Sequence, residues 1–335
     1  MTAPPPACER PSPRLDGVRV LVAGGLGSIG SCLTLRLVDL GAAVTVVDRL
    51  LAEGGGRMAN VAPVRARLRV IVDDIRSVAD DVCREVDIVF DLAGRTGHAD
   101  SMLDPMGDLA MNCAAPLAIL EACRRHAPRA RIVFTSTRQV YGRPDILPVP
   151  EHHPLRPLDF NGIHKIAAES YHMLSHRIHG TATSVLRLTN IVGPAMRVID
   201  GRQMFLGAWI RRLLDGEPIE VWGGAQRRDL LDVDDAVDAI VLAATSPAAI
   251  GRVFNVGHED SIRLDDLANL LVRLHGRGGV VFREFPADRA AIDVGDICTD
   301  ATAIRGVLGW RRRVGLEVSL RRVLDRIDRK EPVDA

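Results

Sequence analysis

Residues 18–30, VRVLVAGGLGSIG, constrain this chain more than any other stretch. An apolar strand-like run ends in Gly24, Gly27 and Gly30 at GxxGxxG spacing, and the following SIGSCLTLRLVDLG reads as a helix closing at Gly41. AVTVVD then reads as a second strand ending on Asp48. Strand, glycine turn, helix and strand make a βαβ unit, and the turn is of the kind that cradles a dinucleotide. Glycines let backbone approach a pyrophosphate, and the helix N-terminus behind them offers N–H donors and a favourable dipole. A carboxylate at the end of the second strand can bond ribose hydroxyls and would repel a 2′-phosphate, so Asp48 points to NAD rather than NADP. Ser28, Ile29 and Arg49 flank these positions and are expected to line the same cofactor.

Downstream, LRVIVDD, DIVFDLAG, RIVFTST and ATSVLRLTN repeat the strand pattern, with helical stretches at 109–126 and 162–179 between them. Near-continuous apolar strands alternating with helices predict a parallel sheet covered on both faces, a doubly wound α/β fold of Rossmann type. After Asn190 the alternation loosens into Gly-, Pro- and Arg-rich segments. Residues 190–330 are therefore expected to form mainly a smaller, mixed α/β substrate-binding lobe, with residues 17–189 as the nucleotide domain and part of 229–258 returning to it. Residues 1–16 read as a disordered lead-in.

The chain has 335 residues, 47% hydrophobic and 26% charged, enough to build one large core or two modest ones. Its formal net charge of zero argues against a whole-protein attraction to nucleic acid or an anionic membrane. An anionic ligand must then be held by local arginines. Six unpaired-looking cysteines and no signal-like or spanning apolar segment suit a cytoplasmic protein with reduced thiols. No metal-ligating set is expected.

These motifs resemble the extended short-chain dehydrogenase/reductase family, in its NAD-dependent nucleotide-sugar epimerase, dehydratase and decarboxylase group, and the resemblance runs from Val18 to about Asp325. Asp74 and Ile75 match the family's acidic-apolar pair beside the adenine, and Leu92, Ala93 and Gly94 match a cofactor-lining strand end. STRQVYG at 136–142 is similar to the active-site strand, which implies that Thr137 carries the family's catalytic hydroxyl. Lys165 stands where the family keeps its catalytic lysine, which bonds the nicotinamide ribose. GGAQRRDLLDVDD at 223–235 resembles the segment in which an arginine, here Arg228, meets the nucleotide diphosphate. Arg289 is a second diphosphate candidate, Arg202 one for the sugar side, and Asn190 and Arg138 are further substrate contacts. By resemblance alone a homodimer is expected, paired through the helices at 109–126 and 162–179.

One position departs from the pattern. The family's tyrosine base stands four residues before the lysine, and this chain has Asn161 there. Asparagine does not ionise in the useful range, so it can orient but cannot take a proton. Tyr141 and His164 are the candidate substitutes, each with a purely structural alternative; His98 and Asp91, near the carboxyl end of the sheet, read more simply as satisfied polar residues. A 4,6-dehydratase of the resembled group would carry an Asp–Glu pair after the threonine, and Arg138 and Gln139 occupy those positions. C4 epimerisation through a transient keto sugar is the leading expectation, followed by decarboxylation of a nucleotide-linked uronic acid. The rival from another class is a module that binds NAD and a nucleotide sugar without turnover.

Overall fold

The computed structural model describes residues 13–51, 54–198 and 204–328, apart from the side chains of residues 288, 289 and 328. In chain order the first elements are β1 (Arg19–Ala23), α1 (Ser28–Asp39), β2 (Ala43–Asp48), β3 (Arg69–Val72), α2 (Ile75–Val82) and β4 (Ile88–Asp91). Next come α3 (His98–Leu103), α4 (Pro105–Leu109), α5 (Ala115–His126), β5 (Arg131–Thr137), α6 (Phe160–His179) and β6 (Ala182–Leu188). The remainder comprises β7 (Asn190–Val192), α7 (Phe205–Leu214), β8 (Ile219–Trp222), β9 (Arg227–Arg228), β10 (Leu230–Asp232), α8 (Val233–Thr245) and β11 (Val253–Val256). It ends with β12 (Ile262–Arg263), α9 (Leu264–His275), β13 (Val280–Arg283), α10 (Ala287–Ala291), α11 (Thr302–Leu308) and α12 (Leu316–Asp328).

Seven strands form one sheet in the order β11-β6-β5-β4-β1-β2-β3, every pair parallel. The expected doubly wound sheet is thus present. Alternation along β1 explains its two-sided burial: Val20 and Val22 enter one core with Leu33 and Leu37 of α1 and Ile240 of α8. Leu21 and Ala23 enter the opposite core with Ile75 of α2 and Ile119 of α5. Each fully buried Leu or Ile contributes about 1.5–3 kcal/mol relative to exposure, so a strand with both faces covered must be apolar throughout. A third core, with Trp209, Ile210, Leu267, Leu271 and Val323, holds the C-terminal lobe together.

The chain leaves β1 towards β2 and β3 on one side and resumes at β4 on the other. This reversal opens a crevice beyond the carboxyl ends of β1 and β4, where open α/β sheets place their ligands. Between α4 and α5 the helix carries a π-type segment, Ala110–Ala114. Such bulges re-aim side chains, and here Asn112 turns inward to donate to the Arg95 carbonyl at 3.0 Å. α6 starts on an Asp159 cap that accepts from Gly162 N at 2.7 Å and stops at Gly180 in the left-handed conformation.

Candidate active site

The crevice contains a cavity of about 320 Å³, lined by the glycine turn, the ends of β2, β4 and β5, the 94–100 loop, the start of α6 and the segment 188–191. Gly24 has φ +79°, and a Cβ there would stand 2.7 Å from the Leu92 carbonyl oxygen. A Cβ on Gly30 would meet the Gly24 carbonyl oxygen at 2.1 Å. Both glycines are therefore required by the protein itself. Gly27 differs: its φ of −72° suits any residue, and the nearest atom to an added Cβ is 3.4 Å away. What Gly27 makes room for is the cavity, a cradle that a Cβ would partly fill, in front of the N-terminus of α1.

Asp48 lies beside the glycine turn at the end of β2, its carboxylate accepting from Leu26 N at 3.0 Å and Leu50 N at 2.9 Å. Those two bonds leave lone pairs for a diol. Ser28, Ile29, Arg49, Ile75, Leu92, Ala93 and Gly94 all line the cavity. Asp74 does not. It caps α2 and pairs with Arg76 at 2.6 Å and Arg49 at 3.4 Å, and its neighbour Asp73 lines the cavity instead. Asp74 thus serves as the cap of α2 at the rim of the cavity. Taken together, this wall fits a dinucleotide of NAD type.

At the other end, Thr137, Asn161 and Lys165 line the same cavity. Thr137 Oγ1 accepts from Gln139 N at 3.3 Å, so its own proton remains to donate. Lys165 is buried, donates to the Thr135 carbonyl at 3.0 Å and sits 4.7 Å over the Phe134 ring. Burial pulls its pKa down, opposed by the fields of Asp91, Asp108 and Glu169. Asp91, at the end of β4, is fully buried, and desolvation raises it to about 7 against the pull of Lys165. Gly94 permits this crowding, because a Cβ there would stand 2.5 Å from Asn112 Oδ1 and 3.3 Å from Lys165 Nζ.

Neither expected substitute for the missing tyrosine reaches the cavity. Tyr141 is fully buried, donating to Asn255 Oδ1 at 2.6 Å and accepting from Arg187 at 2.9 Å. Desolvation pushes its phenol up to about 12 despite the Arg187 charge. It belongs to a network in which Arg187 also pairs with Glu169 at 2.7 Å, tying β6 to α6. His164 turns into the protein and bonds Asp108 Oδ1 at 2.7 Å. Successive helical residues point about 100° apart, so His164 faces α4 while Asn161 and Lys165, four apart, share the cavity face.

Asn161 is pinned. Its Nδ2 donates to the Arg95 carbonyl at 2.8 Å and to Asp108 Oδ2 at 3.2 Å. Beside it His98, the first residue of α3, lines the cavity with Nδ1 2.9 Å from the buried carboxylate of Asp159. By sequence His98 reads as a satisfied polar residue, and Asp159 carries no catalytic signal. The cap signal LDFNG was visible, but the partner, distant in sequence, was not.

On the substrate side, Asn190 lines the cavity and accepts from Arg138 at 2.9 Å. Arg138 is buried, and desolvation, reinforced by the nearby Arg228 charge, lowers its pKa to about 10. Arg228 is also buried, paired with Asp293 at 2.8 Å and bonded to the Gly295 carbonyl. Two buried guanidiniums close enough to perturb each other form a site that an anion would relieve. Arg202 and the side chain of Arg289 lie outside the described residues.

A nucleotide cradle at the sheet's switch point, continuous with a threonine–lysine pair and with Asn190, which the buried Arg138 holds, defines a dinucleotide-dependent oxidoreductase scaffold. The chain belongs to the NAD dependent epimerase/dehydratase family, whose model matches residues 20–257. It is 30% identical to a UDP-glucose 4-epimerase of Azospirillum brasilense, over 87% of this chain and 86% of that one. It is equally 30% identical to UDP-glucuronic acid decarboxylase 1 of Xenopus tropicalis (92% and 72% covered) and 31% identical to a dTDP-glucose 4,6-dehydratase of Streptomyces niveus (89% and 89%). Among solved structures, MoeE5 in complex with UDP-glucose and NAD superposes with a TM-score of 0.81 at 30% identity, covering 93% of this chain and 99% of that one. Three reactions at 30–31% identity mean that similarity gives the enzyme class, and the choice of reaction falls to the site.

Proposed function

We propose that this protein is an NAD-dependent nucleotide-sugar epimerase that inverts C4 through a transient keto sugar. The observation that carries the reading is the meeting of Thr137 and Lys165 with the glycine turn in one cavity, while Arg138 and Gln139 stand where dehydratase relatives carry their Asp–Glu pair. When bound, NAD supplies the acceptor for hydride from the sugar carbon and the donor for its return. Gly24, Gly27, Gly30, Asp48 and Lys165 are the residues that would hold it. Thr137 donates its hydroxyl proton in a hydrogen bond to the carbinol oxygen, and the Lys165 ammonium stabilises the charge developing there. Asn190 and Arg138 orient the sugar, and Arg228 meets the diphosphate.

The test is conversion of a panel of nucleotide sugars with NAD in deuterated water, followed by NMR. An inverted carbinol without deuterium at that carbon supports hydride return; deuterium at carbon indicates an enolisation route; no conversion across the panel defeats the reading. Decarboxylation is the second reading, favoured by the buried Arg138 cation, which suits a uronate carboxylate. Carbon dioxide release from UDP-glucuronate would select it.

A homodimer formed through α5 and α6 is part of this proposal. Leu117, Ile163, Leu174 and Ile178 on these helices expose between 39% and 62% of their surface, apolar side chains that a second copy would cover. Among the described residues no helix is long and apolar enough to cross a membrane.

A further inference from the structure

We infer that His98, held by Asp159, is the proton acceptor and donor of the reaction, in the role that Asn161 cannot fill. This rests on the epimerase reading and deepens it. His98 lines the cavity that Thr137, Asn161 and Lys165 also line. Its Nδ1 stands 2.9 Å from the Asp159 carboxylate, an ion-pair distance reached off the line of a hydrogen bond, and a small turn of the ring would make that bond and leave Nε2 to a ligand. An imidazole presented to a ligand on one nitrogen and oriented by a buried carboxylate on the other is the arrangement of a general base. Asp159 is in turn immobilised as the cap of α6.

The same substitution that removed the phenol helps place this histidine. The Arg95 carbonyl accepts from two amides, Asn161 Nδ2 at 2.8 Å and Asn112 Nδ2 at 3.0 Å. Ser101 Oγ donates to the His98 carbonyl at 2.7 Å and accepts from Asn161 N at 3.2 Å. Both ends of the 95–98 turn are therefore stitched to α6 at position 161. A tyrosine at 161 would lack the amide that makes the first of these bonds.

The proton balance closes without another reactant. The imidazole takes the hydroxyl proton at Nε2: the O–H bond breaks, an N–H bond forms, and the imidazolium rests against Asp159. In the reverse direction the same N–H gives its proton back to the oxygen; bound NAD would supply the acceptor and donor for the accompanying hydride. Charged groups around His98 are Asp100 on its own helix, Asp104 paired with Arg95, Asp108 from α4 paired with His164, and Asp159 and Lys165 from α6.

Two variants and two readouts test this. In the holoenzyme with its converted nucleotide sugar, His98→Asn lowers kcat about 10²–10⁴-fold with KM little changed and abolishes the acidic limb of the pH–rate profile. Asp159→Asn, which keeps a capping side chain, lowers kcat with KM little changed, as expected when the carboxylate that orients the imidazole is lost. Independently of turnover, long-range ¹⁵N–¹H NMR of the protein without substrate, assigned by difference against His98→Asn, finds the Nδ1–H tautomer, shifting towards Nε2–H in Asp159→Asn. Wild-type kcat in His98→Asn, an unchanged acidic limb, or an Nε2–H tautomer in the wild type overturns the assignment and leaves the epimerase reading standing. A wild-type protein that converts no nucleotide sugar overturns both.

Discussion

Gly27→Ala separates what the fold needs from what the cofactor needs. At this position the backbone has φ −72° and ψ −179°, which alanine adopts without strain, and the added methyl would lie 3.4 Å from the nearest protein atom, ordinary contact. Stability should therefore change by less than about 1 kcal/mol, the scale of a small change at a helix N-cap. The methyl would, however, project towards the space in front of α1 where a pyrophosphate must approach the N–H groups. Overpacking of that kind costs about 1–3 kcal/mol, which is about 5–150-fold in Kd for NAD. Gly30→Ala should do the opposite, because its Cβ would meet the Gly24 carbonyl oxygen at 2.1 Å and destabilise the protein whether or not NAD is present. Calorimetric titration with NAD and thermal unfolding of both variants read the two effects separately. If Gly27→Ala bound NAD as tightly as wild type while remaining folded, the pyrophosphate would not pass over this turn and the assignment of the cradle would be wrong.

Arg138→Ala should weaken nucleotide-sugar binding about 10–150-fold, the range of a hydrogen bond made by a charged group, while leaving NAD affinity alone; equal loss of both would refute its placement on the substrate side. His172 is fully buried, stacked on Phe134 and bonded to Thr183 at 2.7 Å, and desolvation, with the Lys165 charge, lowers its pKa to about 3. The unfolded chain then takes up this proton near pH 6.5 and the fold does not, so the histidine costs stability progressively as pH falls from about 6.5 towards 3. Urea unfolding of wild type and His172→Gln across that range should show the wild type losing more with acid; parallel curves would contradict it. Ile178→Asp combined with Leu174→Asp should yield monomers by sedimentation if α5 and α6 carry the dimer, and an unchanged oligomeric state would remove that interface.

Much of the fold was legible because its signals are local. A glycine turn between an apolar strand and a helix needs only neighbouring residues to be recognised, and the Gly24 and Gly30 requirements follow from backbone contacts within that one unit and the adjacent β4. Asp48 and Lys165 sit at fixed offsets from such signals, so they too could be named from the sequence. That Asp74 caps α2 while Asp73 lines the cavity is decided by the packed geometry at the start of that helix.

The proton-transfer group lies beyond that reach. From the sequence Tyr141 and His164 are candidate substitutes for the missing phenol, being titratable and near the motif, each with a structural role as the simpler reading. Side-chain direction decided otherwise: Tyr141 is drawn into the Arg187–Asn255 network, and His164 turns to Asp108. His98 and Asp159 stand on different elements, the start of α3 and the cap of α6, and come within 2.9 Å only when the sheet brings the carboxyl ends of its strands together. The sequence by itself determined that this chain builds a Rossmann sheet with an NAD-type turn and has no tyrosine in the expected place. Which charged groups face the cavity was decided by tertiary packing, because spacing along a chain sets a residue's neighbours on its own element, and distances between elements exist only after the core has closed.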